Sequence, residues 1–324
     1  MGDEDILIRV KACGICGSDV HGSTGKTGRR IPPLIMGHEA AGIVEDIGKN
    51  VNVKDFEKAD RVCFDSTVYC NRCEPCQAGF YNRCKKRQVL GVSTPDFKRH
   101  GAFAEYVAVP WWIVSKIPDH LSFTHAALLE PVSIGVHAAN RATISANDTV
   151  VVIGAGTIGL FILQACKLKR ARSVIVCDIN EFRLDIAQKL GADKVVNPAK
   201  SDLTQTVLKQ TKGKGADVAF EAVGYADTFQ AAISVTKMGG HLVAVGNLQK
   251  MAEFDLQQFI ARELTFTGSY ASSGEFRDCI ELVASGKINV APLISDVLPL
   301  EQGPHAFERL LKSEENLVKI VLEP

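Results

Sequence analysis

The stretch that decides the fold is VVVIGAGTIG, residues 150–159, in which an apolar run leads into a glycine-rich turn. A buried strand followed by Gly-x-Gly-x-x-Gly and a helix is typical of dinucleotide-binding domains. Gly154 would allow the turn, Gly156 would let the backbone approach a pyrophosphate, and Gly159 would let helix and strand pack closely. A glycine-rich turn without a cofactor is the alternative, and the order of strand, turn and helix argues against it.

An acidic residue ends the next predicted strand. The carboxylate of Asp178 would accept hydrogen bonds from both adenosine ribose hydroxyls and would repel a 2′-phosphate, which predicts NAD as the cofactor. Arg183 follows closely enough to line the adenosine pocket, but a position on a solvated helix face explains it equally well. The other residues predicted to contact the cofactor are Thr157, Ile158, Val223 and Gly246.

The pattern around this turn predicts a doubly wound parallel sheet, because apolar strands alternate with amphipathic helices such as Ile158–Lys169 and Glu181–Leu190. The predicted strands are Thr149–Ile153, Ser173–Cys177, Lys194–Val196, Val218–Ala222, His241–Val245 and Leu264–Gly268.

The regions on either side of this predicted sheet have a different sequence pattern. Residues 1–125 contain short β-branched runs broken by Gly and Pro, which indicates a mostly β domain. These runs include Ile6–Val10, Ala41–Glu45 and Phe103–Val109. After Gly268, a helical segment near Glu275–Ser285 and a strand at Val318–Leu322 are too few to form a domain, so we expect them to pack against the N-terminal region.

Composition excludes several classes of partner. The 324 residues contain 37 Lys plus Arg and 37 Asp plus Glu, so no charge excess favours nucleic acid or an anionic membrane surface. No apolar run is long enough to span a bilayer, and the N-terminus is acidic where a secretory signal would be basic. A cytoplasmic protein is therefore expected.

Four of the ten cysteines form a compact motif, C-x2-C-x2-C-x7-C. Four thiolates at this spacing can close around one tetrahedral Zn²⁺ and stabilise a loop that has no core of its own. An iron–sulfur cluster could also use four cysteines, but no partner cluster or electron-transfer domain is evident. The predicted structural zinc ligands are Cys70, Cys73, Cys76 and Cys84. The remaining cysteines except Cys16 are expected in the core, namely Cys13, Cys63, Cys166, Cys177 and Cys279.

A second, dispersed group lies in GICGSDVH, residues 14–21, and GHE, residues 37–39. It offers the thiol of Cys16, the imidazole of His38 and the carboxylate of Glu39. Each residue alone has a plain explanation, since a single Cys is usually a core residue and a His-Glu pair is usually a surface ion pair. From the residues alone, a second metal site stays one of two open interpretations.

The chain resembles the zinc-containing medium-chain alcohol and polyol dehydrogenases, and within them the sorbitol dehydrogenase branch. The motifs that carry the resemblance extend over nearly the whole chain: GICGSDVH, GHEAAG, the four-cysteine loop, GAFAEYV, ALLEPVSIGVHA, VVVIGAGTIGL and VCDIN. The resemblance implies a discontinuous GroES-like β-barrel catalytic domain, residues 1–125 and 269–324, that holds two zincs. It also implies an inserted NAD-binding Rossmann domain, residues 126–268, with the active site in the cleft between the domains.

By the same resemblance, Cys16 and His38 are ligands of a catalytic zinc, and either Glu39 or Glu130 is the third protein ligand. Glu130 stands where ethanol-type members carry a cysteine, which favours a polyol substrate. The zinc would act as a Lewis acid on the substrate hydroxyl, Ser18 would take its proton, and His21 would pass the proton toward solvent. A homo-oligomer is implied, and both tetramers and dimers occur in the family.

Two departures from the family pattern lead to further expectations. The family's opening hairpin is not matched ahead of Asp5–Val10, which predicts a barrel exposed along one edge. Ala59 replaces the glycine of a Gly-Asp-Arg turn, which predicts backbone strain. The alternatives for function are an L-threonine 3-dehydrogenase, a butanediol dehydrogenase or another secondary-alcohol dehydrogenase, and a structural relative without catalysis.

Overall fold

The computed structural model describes residues 1–25, 27–52, 54–93, 98–312 and 316–324. The chain forms two compact units. The β-rich unit comprises Met1–Ser133 and Ala271–Pro324, and the parallel-sheet unit comprises Ile134–Tyr270. Within the described ranges, no helix has both the length and the apolar character needed to cross a membrane.

The first part of the β-rich unit consists of two long strands, several short strands and short helices. In chain order they are β1 Asp5–Gly14, α1 Gly17–Ser23, β2 Glu39–Ile47, β3 Arg61–Phe64, β4 Thr67–Val68, α2 Glu74–Gln77, β5 Gln88–Leu90, β6 Lys98–Arg99, β7 Tyr106–Pro110, β8 Val114–Lys116 and α3 Phe123–Ala127. Helix α4, Leu129–Asn140, begins in this unit and ends in the parallel-sheet unit. Along the first part of β1, half-buried and buried positions alternate, and Ile6, Ile8 and Val10 point into the core at 2% exposure or less. This period of two is what a strand with one buried face requires.

The parallel-sheet unit alternates strands and helices, as the sequence predicts. Its elements are β9 Thr149–Ile153, α5 Thr157–Leu168, β10 Ser173–Cys177, α6 Glu181–Lys189, β11 Lys194–Val196, α7 Leu203–Gln210, β12 Ala216–Glu221, α8 Ala226–Val235, β13 Thr236–Ala244, α9 Leu256–Ala261 and β14 Thr265–Gly268. All adjacent strands are parallel, in the order β11-β10-β9-β12-β13-β14. Strand order therefore reverses between β9 and β12, where doubly wound sheets bind ligands.

The chain then returns to the β-rich unit through α10 Glu275–Ala284, β15 Ile294–Pro299, α11 Gly303–Lys312 and β16 Lys319–Glu323. Strand β16 pairs with β1, with Cys13 opposite Leu322 and Gly14 opposite Val321. The prediction that this last segment packs on the N-terminal region is confirmed.

The expectation of an open barrel edge does not hold for β1. Strand β2 pairs along one side of β1, while β7 and then β16 occupy its other side. Among the described residues, the strands with one neighbour in this sheet are β7, β8 and β15. Since β1 is long, its two halves take different partners on the same side.

The expected strain at Ala59 is present, because its φ angle is +73°, in the left-handed region that disfavours side chains. The five cysteines predicted to be core residues are all buried. The predicted doubly wound sheet is also confirmed, and three of its strands, β9, β10 and β11, have the predicted bounds.

Candidate metal centre and dinucleotide site

Strand pairing brings the dispersed metal candidates together. Gly14 at the end of β1 lies opposite Glu39 at the start of β2, which brings Cys16, two residues after β1, close to His38, the residue before β2. As a result, ligand atoms of Cys16, His38 and Glu39 all lie within 4.8 Å of one another. The antiparallel register of β1 on β2 therefore brings together side chains that are more than twenty residues apart in sequence.

Glu39 is fully buried and ion-paired with a buried lysine from the last strand. The Nζ of Lys319 donates to both carboxylate oxygens of Glu39, at 2.8 and 2.7 Å, and to the carbonyl oxygen of Ile15 at 2.9 Å. Lys319 is 1% exposed. A metal that used Glu39 would have to share a carboxylate oxygen with Lys319.

His38 is oriented by a buried carboxylate. Oδ2 of Asp19 lies 3.3 Å from Nδ1 of His38, which leaves Nε2 as the nitrogen available to a metal. Burial alone would lower the pKa of His38, but Asp19 and the thiol of Cys16 outweigh it and raise that pKa well above its usual range. The surroundings of the imidazole thus favour a positive charge.

Glu130, in the first turn of α4, is not a member of the compact group. The hydroxyl of Ser66 donates to its Oε1 at 2.6 Å. Burial raises the pKa of Glu130 to about 7; His38 opposes this shift, and Glu39 adds to it. Glu130 and Glu39 therefore differ: Glu39 is closer to Cys16 and His38 but is held by Lys319, whereas Glu130 stands outside the group.

The charge balance of this largely buried region fits a divalent cation. If all the acids are ionised and His38 is neutral, as a metal-bound imidazole must be, the region holds four negative and two positive charges. The negative charges are those of Cys16, Asp19, Glu39 and Glu130, and the positive ones are those of Arg30 and Lys319. Buried charge without compensation is costly, so the excess of two negative charges matches Zn²⁺. A thiolate, an imidazole and a carboxylate are also donors that zinc prefers. The residues present fit the metal.

Helix α1 carries the two residues predicted to move the substrate proton. Ser18 and His21 are both exposed and lie three residues apart, one turn along the same helix. The hydroxyl oxygen of Ser18 accepts a hydrogen bond from Nη2 of Arg30 at 3.2 Å. Since Cys16 immediately precedes α1, Ser18 starts two residues from a candidate ligand.

The four-cysteine loop has the geometry of a closed tetrahedral site. Ligand atoms of Cys70, Cys73, Cys76 and Cys84 all lie within 4.8 Å of one another. Cys73 Sγ is 3.4 Å from Cys76 Sγ and 3.8 Å from Cys84 Sγ, and a tetrahedron with Zn–S bonds of about 2.3 Å has S–S edges of about 3.8 Å. Backbone N–H groups of Cys76 and Lys85 lower the pKa of Cys73 to about 6, which favours the thiolate that zinc requires.

The glycine-rich turn adopts the form that a pyrophosphate needs. Gly154 has φ +101°, and a Cβ at Gly159 would lie 1.7 Å from the carbonyl oxygen of Gly154, so neither position admits a side chain. No atom lies within 4 Å of the place where a Cβ of Gly156 would stand. Helix α5 begins at Thr157, directly after this open position, so its first N–H groups face that space.

Asp178 lies at the end of β10, next to the turn. Its Oδ2 accepts the N–H of Ala155 at 2.6 Å, and its Oδ1 accepts the N–H of Asn180 at 2.9 Å. The predicted acid is therefore fixed against the turn by backbone donors. Arg183 lies in the first turn of α6, where its N–H bonds to the side chain of Asn180 at 3.2 Å, and its Nε is buried.

The two remaining predicted cofactor residues lie at neighbouring strand ends. A Cβ at Gly154 would stand 2.7 Å from Cγ2 of Val223, so Val223 after β12 packs against the turn. Gly246 after β13 lies against Gly224, because a Cβ at Gly246 would stand 2.1 Å from the Gly224 nitrogen. All predicted cofactor residues thus gather at the carboxyl ends of the parallel strands.

Sequence reasoning missed four residues around the metal cluster: Asp19, Arg30, Ser66 and Lys319. Asp19 lies inside the GICGSDVH motif and could have been noticed as a carboxylate close to two candidate ligands. Lys319 could have been noticed because it interrupts the apolar run Val318–Leu322. A lysine in a buried strand needs a buried acid as its partner. Nothing local marks Arg30 or Ser66.

Two family models match the chain. Residues 2–119 match the alcohol dehydrogenase GroES-like domain, and residues 157–285 match the zinc-binding dehydrogenase model. The first match confirms the GroES-like fold expected for the β-rich unit. The second falls mostly on the parallel-sheet unit.

Individual relatives cover the chain almost end to end. The chain is 36% identical to sorbitol dehydrogenase of Bacillus subtilis over 326 residues, which cover 99% of this chain and 90% of the relative. It is also 36% identical to L-idonate 5-dehydrogenase of Vitis vinifera over 330 residues, 99% and 88% of the two chains. The structure of a putative zinc-binding dehydrogenase from Sinorhizobium meliloti, bound to NADP, matches with a TM-score of 0.90 and 32% identity, covering 100% of this chain and 93% of that one. This chain therefore belongs to the zinc-containing medium-chain alcohol and polyol dehydrogenases, enzymes that use zinc and a nicotinamide dinucleotide.

Proposed function

We propose that this protein oxidises a secondary alcohol of a polyol to a ketone, with zinc at the Cys16–His38 cluster and NAD as hydride acceptor. The observation that carries the proposal is the cluster itself: three zinc-type donors within 4.8 Å, in surroundings whose excess negative charge suits a divalent cation. The relatives named for sorbitol and L-idonate support a polyol-type substrate.

At the metal, Cys16 and His38 would be two of the protein ligands, and the carboxylate of Glu39 or Glu130 would be the third. A bound zinc would polarise the substrate hydroxyl, and the dinucleotide would accept the hydride. Of the two acids, Glu39 lies in the compact group, while Glu130 has one oxygen hydrogen-bonded to Ser66. If Glu39 is the ligand and Glu130 is not, the pKa of Glu130, raised by burial to about 7, suits a group that exchanges a proton near neutral pH.

Ser18 would accept the substrate proton, and His21 would release it to solvent. Ser18 is exposed, and its oxygen already accepts one hydrogen bond from Arg30, so the hydroxyl has a fixed position from which to meet a substrate. His21 is exposed one helical turn further along α1, which suits a group that exchanges protons with water.

For the cofactor, we propose NAD over NADP. A carboxylate at the end of β10 suits ribose hydroxyls and opposes a 2′-phosphate, and Asp178 occupies that position. The NADP-bound structure of the Sinorhizobium relative makes this choice the one to test. Gly154, Gly156, Thr157, Ile158, Gly159, Arg183, Val223 and Gly246 would complete the cofactor site.

A second zinc would occupy the four-cysteine loop, giving two zincs per chain. The loop around Cys73 is held by turns rather than by a core, so this zinc would stabilise it. With four thiolates the coordination is complete, which leaves no position for a substrate. Four thiolate ligands also require a reducing compartment, and we accordingly propose a cytoplasmic protein.

We further propose that the protein is a homo-oligomer, a dimer or tetramer. Strand β14 ends the parallel sheet and, among the described residues, pairs on one side only, with β13. Exposed apolar side chains surround this edge, with Phe254, Leu256, Ile260 and Phe266 at 41, 57, 64 and 50% exposure. An apolar edge strand is a ready surface for a second copy of the same sheet. Light scattering on wild type and Phe266→Lys would test it, and a monomeric wild type would refute it.

The decisive experiment measures reduction of NAD and of NADP on a substrate panel, with zinc content determined on the same sample. The panel contains sorbitol, xylitol, butanediol and threonine. Turnover of a polyol with NAD at two zincs per chain is the expected result. Turnover of threonine alone would mean that the protein is a threonine dehydrogenase and not a polyol dehydrogenase. One zinc per chain with no turnover would support the non-catalytic alternative.

A further inference from the structure

Arg30 is a buried cation that contacts two residues next to the proposed metal site. It lies in the segment between α1 and β2 and is 9% exposed. Its Nε pairs with Oδ1 of Asp19 at 3.0 Å, and its Nη2 donates to the hydroxyl of Ser18 at 3.2 Å. Burying a guanidinium is costly unless its donors are satisfied, so these contacts determine where Arg30 lies.

The carboxylate of Asp19 connects Arg30 to His38. Asp19 is fully buried; one of its oxygens pairs with Arg30, and the other lies 3.3 Å from Nδ1 of His38. A single guanidinium therefore contacts Ser18 directly and reaches His38 through one carboxylate. Arg30 therefore connects two groups of the proposed reaction: the Ser18 hydroxyl, which takes the proton, and the His38 imidazole, which binds the metal.

The surrounding chain fixes Arg30 from both sides. A Cβ at Gly22 would lie 2.3 Å from Cγ of Arg30, so the arginine stem packs directly on the backbone of α1. On the other side, the hydroxyl of Ser93 accepts the N–H of Ile31 at 2.7 Å, and the N–H of Ser93 donates to the carbonyl of Arg29 at 3.1 Å. The residues before and after Arg30 are thus bound to one distant serine.

We propose that Arg30 is a positioning residue for the reaction: it fixes the Ser18 hydroxyl relative to the His38 imidazole by holding Ser18 and Asp19 at once. The proposal rests on the function proposed above for Ser18 and His38. Lysine cannot do the same, because the planar guanidinium presents two donors at a fixed angle, whereas an ammonium is a single point charge on a flexible stem. In this proposal Arg30 acts through its two partners, Ser18 and Asp19.

The first test compares Arg30→Met with Arg29→Met in the zinc-loaded protein. Arg29 is the neighbouring arginine and is exposed, which makes it the matched control. We expect kcat to fall about 10- to 100-fold in Arg30→Met with little change in KM, and to stay unchanged in Arg29→Met. Arg30→Lys should recover only part of the loss, since it keeps the charge but not the fixed geometry of two separated donors.

The second test asks whether the loss passes through Ser18. In a Ser18→Ala background, Arg30→Met should cost less than about threefold further, because the hydroxyl that Arg30 positions is already gone. An equal loss with and without Ser18 would mean that Arg30 has only a general structural role, and it would overturn the proposal.

The third test does not depend on turnover. The rate at which zinc passes to a colorimetric chelator reports on the His38 site, and the relevant phase is the one missing from Cys16→Ala protein. We expect this phase to be about tenfold faster in Arg30→Met and unchanged in Arg29→Met, with no further increase when Arg30→Met is added to Asp19→Asn.

The outcomes separate the two proposals. If the wild type oxidises no alcohol in the panel, the proposed function fails, but faster zinc release from Arg30→Met would still support the positioning role. Equal zinc release from Arg30→Met and Arg29→Met would overturn that role whatever the activity. If Arg30→Met folds poorly, as judged by its melting temperature, the same three measurements are made on Arg30→Lys.

Discussion

The dinucleotide turn and the metal cluster are built in opposite ways. The turn occupies one ten-residue segment and offers mainly backbone N–H groups, with Asp178 as its principal side chain. The cluster is made of side chains from both ends of the chain, since β1, β2 and β16 must pair before Cys16, Glu39 and Lys319 meet. A site made of backbone tolerates the loss of one side chain better than a site made of dispersed, buried charges. We therefore expect substitutions in the cluster to have larger effects than substitutions at the turn.

The largest effect should come from removing one metal ligand. Cys16→Ala or His38→Ala is expected to lower kcat/KM at least about 10,000-fold, about 5.5 kcal/mol, because the substrate hydroxyl loses its Lewis acid. One zinc should be lost while the thiolate-loop zinc stays, as determined by metal analysis. NAD binding, measured by fluorescence titration, should remain near normal.

Cys63→Ala is the matched control for Cys16→Ala, since Cys63 is a fully buried cysteine of the same unit that belongs to neither cluster. It should retain both zincs and most activity. Turnover that survives the loss of the Cys16 zinc would show that the proposed zinc mechanism is wrong.

Next in size is the loss of the lysine that pairs with Glu39. Lys319→Met leaves a buried carboxylate without its partner, which typically costs about 3–5 kcal/mol of unfolding free energy. Urea unfolding of the zinc-loaded protein measures it. Lys58→Met is the control, because Lys58 forms an exposed pair with Asp46 at 3.0 Å and its loss should not change stability measurably. A change below about 1 kcal/mol for Lys319→Met would mean that Glu39 finds another partner or takes up a proton.

At the backbone-built site, the effect should be smaller. Asp178→Ala is expected to weaken NAD binding about tenfold, roughly 1.4 kcal/mol, and to reduce the preference for NAD over NADP. The phosphate contacts remain, because they come from the turn and from α5. Asp185→Ala on the exposed face of α6 is the control, and equal titration curves for NAD and NADP in wild type would refute the ribose argument.

The same contrast explains what the sequence could predict. Strands β9, β10 and β11 were predicted with their observed bounds because an apolar run between turns is a local property. The four-cysteine loop is equally local, and its thiols converge as the spacing predicts. For Cys16 and His38 the residues alone left a metal site open, and the family resemblance was needed to favour it, since only the register of β1 on β2 brings them together.

Arg30 and Lys319 could not be predicted, for a physical reason. Each is a buried cation whose partner lies far away in sequence, 11 residues for Asp19 and 280 for Glu39. Hydropathy marks such residues as exposed, and only tertiary pairing reverses that expectation. Ala59 is the opposite case: the strain is a property of one residue, and its replacement of a turn glycine was enough to predict it.

Ala59 therefore gives the smallest and most local effect. Its φ of +73° costs an L-residue about 1–2 kcal/mol, whereas glycine adopts this conformation freely but loses more entropy on folding. Ala59→Gly should thus stabilise the protein by about 1 kcal/mol, measured by urea unfolding, with zinc content and activity unchanged. Gly213→Ala is the mirror control, because Gly213 has φ +84° and no atom within 4 Å of an added Cβ, so this change should destabilise through the backbone alone. If Ala59→Gly destabilised the protein, the Ala59 methyl group would contribute packing that outweighs its strain, and this turn would depend on side-chain contacts as the metal cluster does.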